Sequence, residues 1–112
     1  MSAARYDLVI DQGASFSIDI TVKENGVIKN LTGYSARAQL RTTKTASSAA
    51  ASFTCTIPTP TNGQVKMELS PSTTSAMTAG SFFYDLEIFT SSDAIVKRLI
   101  EGVVTLSQEV TR

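Results

Sequence analysis

The sequence contains no histidine and no tryptophan, and Cys55 is its only cysteine. The missing histidine removes the commonest general base at neutral pH and the commonest transition-metal ligand. A single cysteine excludes an intrachain disulfide, so the fold must rest on its core. Cys55 lies between Phe53 and Ile57 with no imidazole to activate it, which predicts a buried, unreactive thiol. The six glycines are dispersed and form no phosphate-cradling cluster. Neither sign of charge is in surplus: ten basic and ten acidic side chains give a formal net charge of zero. That balance argues against nonspecific nucleic-acid binding, which needs a basic surface to release counterions, and against a polybasic membrane contact. No apolar run approaches the roughly 20 residues of a spanning helix, and the first seven residues lack the apolar stretch of a secretory signal. Neither a cofactor nor a metal is expected, and neither nucleic acid nor membrane is expected as a partner.

What the chain does contain is strand pattern. Its 112 residues fit one domain, taken as 1–112. Ser and Thr make up about a quarter of the chain; with scarce Leu and plentiful Val and Ile they favour strands and turns. The first strand is expected over 6–10. Phe16, Ile18, Ile20 and Val22 then alternate with polar residues, giving one buried and one wet face. Asn25-Gly26 signals a tight hairpin, because both positions tolerate positive φ. A turn at Asn30-Leu31-Thr32-Gly33 precedes a second alternation through Tyr34, Ala36, Ala38 and Leu40. Residues 42–52 are rich in Thr, Ser and Ala without periodicity and read as the longest loop. Strands follow through Phe53, Cys55 and Ile57 and through Val65, Met67 and Leu69. Ser70-Pro71 has the form of a helix cap and first residue, predicting one or two helical turns with Ala76 and Met77 facing the core and Gly80 beyond. The last third is a hairpin of two long runs, 80–89 and 95–106, and Gly102 within the second predicts a bulge or bend. Seven or eight short strands with turn signals between them predict an all-β, antiparallel sandwich with at most one short helix.

Candidate functional residues are few. On the first run of the closing hairpin, Phe82, Tyr84, Leu86 and Ile88 share one face, and Phe83, Asp85, Glu87 and Phe89 share the other. Two aromatics therefore fall on the nominally wet face. Either a loop or the short helix covers Phe83 and Phe89, or they contact another protein, since aromatics are enriched in interface cores. Arg37 and Arg41 share a strand face and form either a weak anion patch or a solvated face. Asp85 and Glu87 are expected to pair with Lys97 or Arg98 across the hairpin. Asp7, Asp11 and Asp19 do not follow the alternate-position spacing of a calcium loop and read as solvated carboxylates. With no catalytic residue identifiable, the chain reads as a binding or structural module rather than an enzyme.

Several segments resemble small bacteriophage virion proteins. They are Tyr6-Asp7-Leu8-Val9-Ile10-Asp11-Gln12-Gly13-Ala14-Ser15-Phe16, Asn30-Leu31-Thr32-Gly33-Tyr34-Ser35-Ala36-Arg37, Ala79-Gly80-Ser81-Phe82-Phe83-Tyr84-Asp85-Leu86-Glu87-Ile88, Arg98-Leu99-Ile100-Glu101-Gly102-Val103-Val104-Thr105 and the closing Glu109-Val110-Thr111-Arg112. They span nearly the whole chain in order, apart from 42–52. The chain is similar in style to the immunoglobulin-like N-terminal domain of phage baseplate upper proteins. That resemblance implies an Ig-like sandwich and a structural role in the virion, assembled in the host cytoplasm. It implies other virion proteins of tail, baseplate, fibre or capsid as partners, in a multi-copy or homo-oligomeric state. Attachment at the tail or baseplate is the first expectation, a capsid cement role the second, and a carbohydrate-binding adhesion module the reading from another class. The resemblance assigns no catalytic residue. Phe82 stands where the tyrosine corner of such sandwiches would place Tyr, and it has no hydroxyl to donate.

Overall fold

A computed structural model describes residues 4–111; residues 1–3, and with them the expectation about the leading segment, and Arg112 of the closing motif lie outside it. The fold is an all-β sandwich. Eleven strand segments occur among the described residues, seven of them at least three residues long. They are β1 (Ala4–Arg5), β2 (Leu8–Asp11), β3 (Phe16–Thr21), β4 (Lys23–Glu24), β5 (Val27–Ile28), β6 (Ser35–Arg41), β7 (Ala51–Ser52), β8 (Thr54–Thr56), β9 (Gln64–Leu69), β10 (Gly80–Phe89) and β11 (Val96–Ser107). The count exceeds seven or eight because short segments outside the expected strands also pair: β1 ahead of the strand expected over 6–10, β7 within the loop expected over 42–52, and the two-residue ladder closed by the Asn25-Gly26 turn.

The large sheet runs β1-β11-β10-β6-β7, with β2 also on β11. The small sheet runs β3-β9-β8. Most pairings are antiparallel, but β1 and β2 lie parallel to β11, Ala4 opposite Ile100 and Leu8 opposite Val104. A first strand beside the last needs no tight turn between them, so parallel pairing costs the chain no special loop.

The core lies between the sheets. Ile10, Leu40, Leu86, Ile88 and Val104 come from the large sheet and Val65 and Met67 from the small one, each essentially inaccessible to solvent. Complete burial of one such side chain is worth about 1.5–3 kcal/mol. Phe53 links the layers, its ring centroid 6.1 Å from those of Phe16 and Tyr84. Alternation places these residues correctly: Phe82, Tyr84, Leu86 and Ile88 are all buried. The Asn25-Gly26 turn has φ of 52° and 79°, the two positive values that its tight hairpin requires.

The one α-helix among the described residues, α1 (Pro71–Ala76), starts as the Ser70-Pro71 pair predicts, with Ser70 Oγ accepting from Thr73 N at 3.2 Å. It stops sooner than expected, since Met77 is already extended, and Ala76 is exposed. Met77 is buried as expected, and the helical residue facing inward is Thr74. Residues 42–50 contain no helix or strand.

Gly102 is not a bulge. The register of the closing hairpin shifts between Leu86 and Glu87, where Leu99 is the extra residue of β11. Gly102 instead makes room for the first strand: a Cβ there would lie 2.5 Å from Tyr6 O and 2.7 Å from Asp7 Oδ1.

Candidate functional site

The β10–β11 register and the β10–β6 register together build one open sheet face from the outward residues of four strands. Three cross-strand rows cover its middle. Val103, Phe83 and Arg41 form one row; Arg5, Glu101, Asp85 and Gln39 the next; Arg98, Glu87 and Arg37 the third. A fourth row of Val96, Phe89 and Ser35 closes the far end. The face therefore has an aromatic residue near each end and charges of both signs between.

All four candidate residues, Phe83, Phe89, Arg37 and Arg41, lie on this one face. Arg37 does more than face solvent. Its Nε donates to Glu87 Oε1 at 2.8 Å, its Nη1 to Asp93 Oδ1 at 3.3 Å, and its Cζ stands 4.3 Å from the Phe89 ring centroid. Glu87, first among the causes, holds the Arg37 guanidinium above its ordinary pKa. Arg41 donates to two neutral oxygens, Ala46 O and Gln39 Oε1, both at 2.9 Å. Phe83 is 37% exposed, and Lys44 Nζ lies 5.6 Å from its centroid. The two aromatics are thus topped by the chain's own cations. The 42–50 loop contributes Lys44 to the cover of Phe83.

Asp85 meets Arg98 at 3.3 Å, as expected, and Arg98 also reaches Glu101 at 3.8 Å. Glu87 is taken by Arg37 instead. Lys97 is lost to the site because the Leu99 bulge aligns it with inward-facing Ile88, and it reaches Glu24 at 3.0 Å. Partial burial raises the Asp85 pKa above the ordinary 3.8, with Arg98 opposing.

A shallow hollow of about 240 Å³ occupies the Phe83 end of the face, lined by Arg5, Arg41, Lys44, Asp85, Arg98 and Val103. Sequence reasoning missed Lys44, which sits in an aperiodic loop, and Arg5, whose place depends on a parallel pairing that no local signal announces. A second hollow of about 690 Å³ opens between the sheets beside β3, with Ile20, Val22, Leu99 and Ile100 among its lining.

Elsewhere the titratable groups serve the fold. Asp7 Oδ1 accepts from Val103 N at 2.9 Å, and that amide is the main reason its carboxyl lies below the ordinary range. Tyr84 OH donates to Tyr6 O. Burial, with Asp7 and Tyr6 adding to it, pushes the Tyr84 hydroxyl up to about 12. Asp11 and Asp19 are exposed, as expected of solvated carboxylates. Cys55 is half-buried, with its thiol pushed up to about 11 by burial. Among the described residues, no three carboxylate or thiol groups converge as a metal site would need, and no helix is long and apolar enough to cross a membrane. No family model matches the chain, and no curated protein matches it.

Proposed function

We propose that this protein is a non-enzymatic bacteriophage virion component that joins or decorates the particle through the outer face of its large sheet. The observation that carries the reading is that face: four cross-strand rows on the outer side of the large sheet, with exposed Phe83 and half-buried Phe89 near its ends and ion-paired charges between. A face mixing aromatic anchors with pre-ordered charged groups suits a protein partner better than it suits a small molecule, for which pockets are deeper and more apolar. Arg37 and Arg98 are already fixed by carboxylates, so little side-chain entropy remains to be lost on docking. The order of the resembling segments supports the virion setting, with an Ig-like sandwich at the tail or baseplate as the favoured place. A multi-copy state in the particle follows from that setting.

The test is mass spectrometry of purified particles together with light scattering of the isolated protein. The reading expects the chain in particles at several copies, with Phe83 or Phe89 covered by a neighbour. A monodisperse monomer that is absent from particles would defeat it. A particle reconstruction then separates attachment at the tail from cementing at the head.

A further inference from the structure

We infer that the Phe83 end of the outer face seats an acidic side chain of a neighbouring protein chain. The inference rests on the reading of that face as an interface and adds the chemistry of what it receives. Four cations, Arg5, Arg41, Lys44 and Arg98, surround the hollow, against two carboxylates, Asp85 and Glu101. Arg98 engages both carboxylates, at 3.3 and 3.8 Å, and Arg5 lies 3.4 Å from Asp7. Among the described residues, Arg41 and Lys44 have no carboxylate within ion-pair distance. Arg41 donates only to the neutral oxygens of Ala46 and Gln39, which fix its plane and leave further N–H groups unused. Lys44 rests over the Phe83 ring.

Charge in the hollow is therefore divided. One side is ion-paired around Arg98; on the Phe83 side Arg41, which also feels the Asp85 charge from beyond ion-pair distance, and Lys44 are held by neutral partners. A carboxylate entering there would gain charge-assisted hydrogen bonds from both, stronger than the bonds Arg41 now makes to neutral oxygens. Its methylene stem would lie against Phe83 and Val103, which share a row. The neighbouring Asp85 and Glu101 set an upper limit on the guest's charge. They tolerate a monoanion beside Arg41 and Lys44 and repel a polyanion such as nucleic acid. The zero net charge of the chain acts in the same direction.

The test is fluorescence anisotropy with a labelled octapeptide carrying a single glutamate among glycines and serines, its glutamine counterpart as control, and inorganic phosphate as competitor. The glutamate peptide should bind and the glutamine peptide should not. The pair Arg41→Gln with Lys44→Gln should weaken binding by about tenfold or more, whereas Lys23→Gln with Lys66→Gln, the same change of charge elsewhere, should not. Circular dichroism confirms that each variant is folded. No binding, equal loss in both double variants, or displacement by an equimolar amount of phosphate would overturn the inference. Particle incorporation separates it from the reading beneath it. If Phe83→Ser with Phe89→Ser blocks incorporation and the Arg41 and Lys44 variant does not, the interface stands and the acidic seat falls. If neither affects incorporation, the interface reading falls and the acidic seat for a neighbouring chain falls with it, whether or not the peptide binds.

Discussion

Gly102 has less room than any substitution there could use. Tyr6 O and Asp7 Oδ1 occupy the space of a Cβ, and Tyr6 N donates to Glu101 O at 2.9 Å, so the first strand cannot retreat without losing bonds to β11. Gly102→Ala should lower stability by about 1–3 kcal/mol, read as a lower urea midpoint with an unchanged slope. Asp7 belongs to the same contact and gives it a pH dependence. Its carboxyl titrates below the ordinary 3.8 in the folded state. Its contribution is therefore present above the unfolded-state pKa and is lost as pH falls through the lowered folded value. Asp7→Asn should lower stability at pH 7, where the carboxylate contributes fully, and flatten the acid limb, so that the difference from the parent disappears as pH falls through the lowered folded value. Cys55 gives a separate check. A thiol raised to about 11 has a thiolate fraction of about one in a thousand at pH 8, so labelling by a disulfide reagent should be slow until urea unfolds the chain. Rapid labelling of the native protein would contradict that. The neighbours of Cys55 predict a buried thiol, and the structure leaves it half-buried. The role of Asp7 was not legible, because it depends on Val103, 96 residues away in sequence.

At the scale of elements, one buried hydroxyl ties α1 to the turn after β2. Thr74 is fully buried; its Oγ1 accepts from Gly13 N at 3.0 Å and donates to Ala14 O at 2.9 Å, with Pro71 O at 3.1 Å. Thr74→Val keeps the shape and leaves Gly13 N–H and Ala14 O without that partner. It should cost about 1–3 kcal/mol in thermal or urea denaturation, more than Ser70→Ala, which removes an exposed cap worth about 1 kcal/mol. The start of α1 was readable because Ser-Pro carries its own stereochemistry. Its inward residue was not, because six residues make too few turns for a face to show, and a threonine gives no apolar signal. The strands behave in the opposite way: β3, β6, β9 and β10 follow period-two alternation closely. The Leu99 bulge escaped that reasoning, since nothing local marks it, and it is what sends Lys97 to Glu24 and leaves Glu87 to Arg37. Tyr84 shows the same limit. Its hydroxyl ties down the first strand, a different bond from the corner that Phe82 cannot form.

For the whole molecule, the two layers differ in what they offer. The small sheet turns Ser17, Asp19 and Thr21 outward from β3, a polar surface with no aromatic residue on that strand's outer face. The large sheet turns outward Phe83 and Phe89 with six charged residues of its own strands between them. If the large sheet makes the contact, a partner should follow substitutions on β10 and ignore those on β3. The measurement that tests this most directly is photo-cross-linking in assembled particles, with benzoylphenylalanine placed at position 83 and, separately, at position 19. The account predicts cross-links from position 83 to a second protein chain and none from position 19. Cross-links from position 19 alone, or particles that never contain the chain, would contradict it.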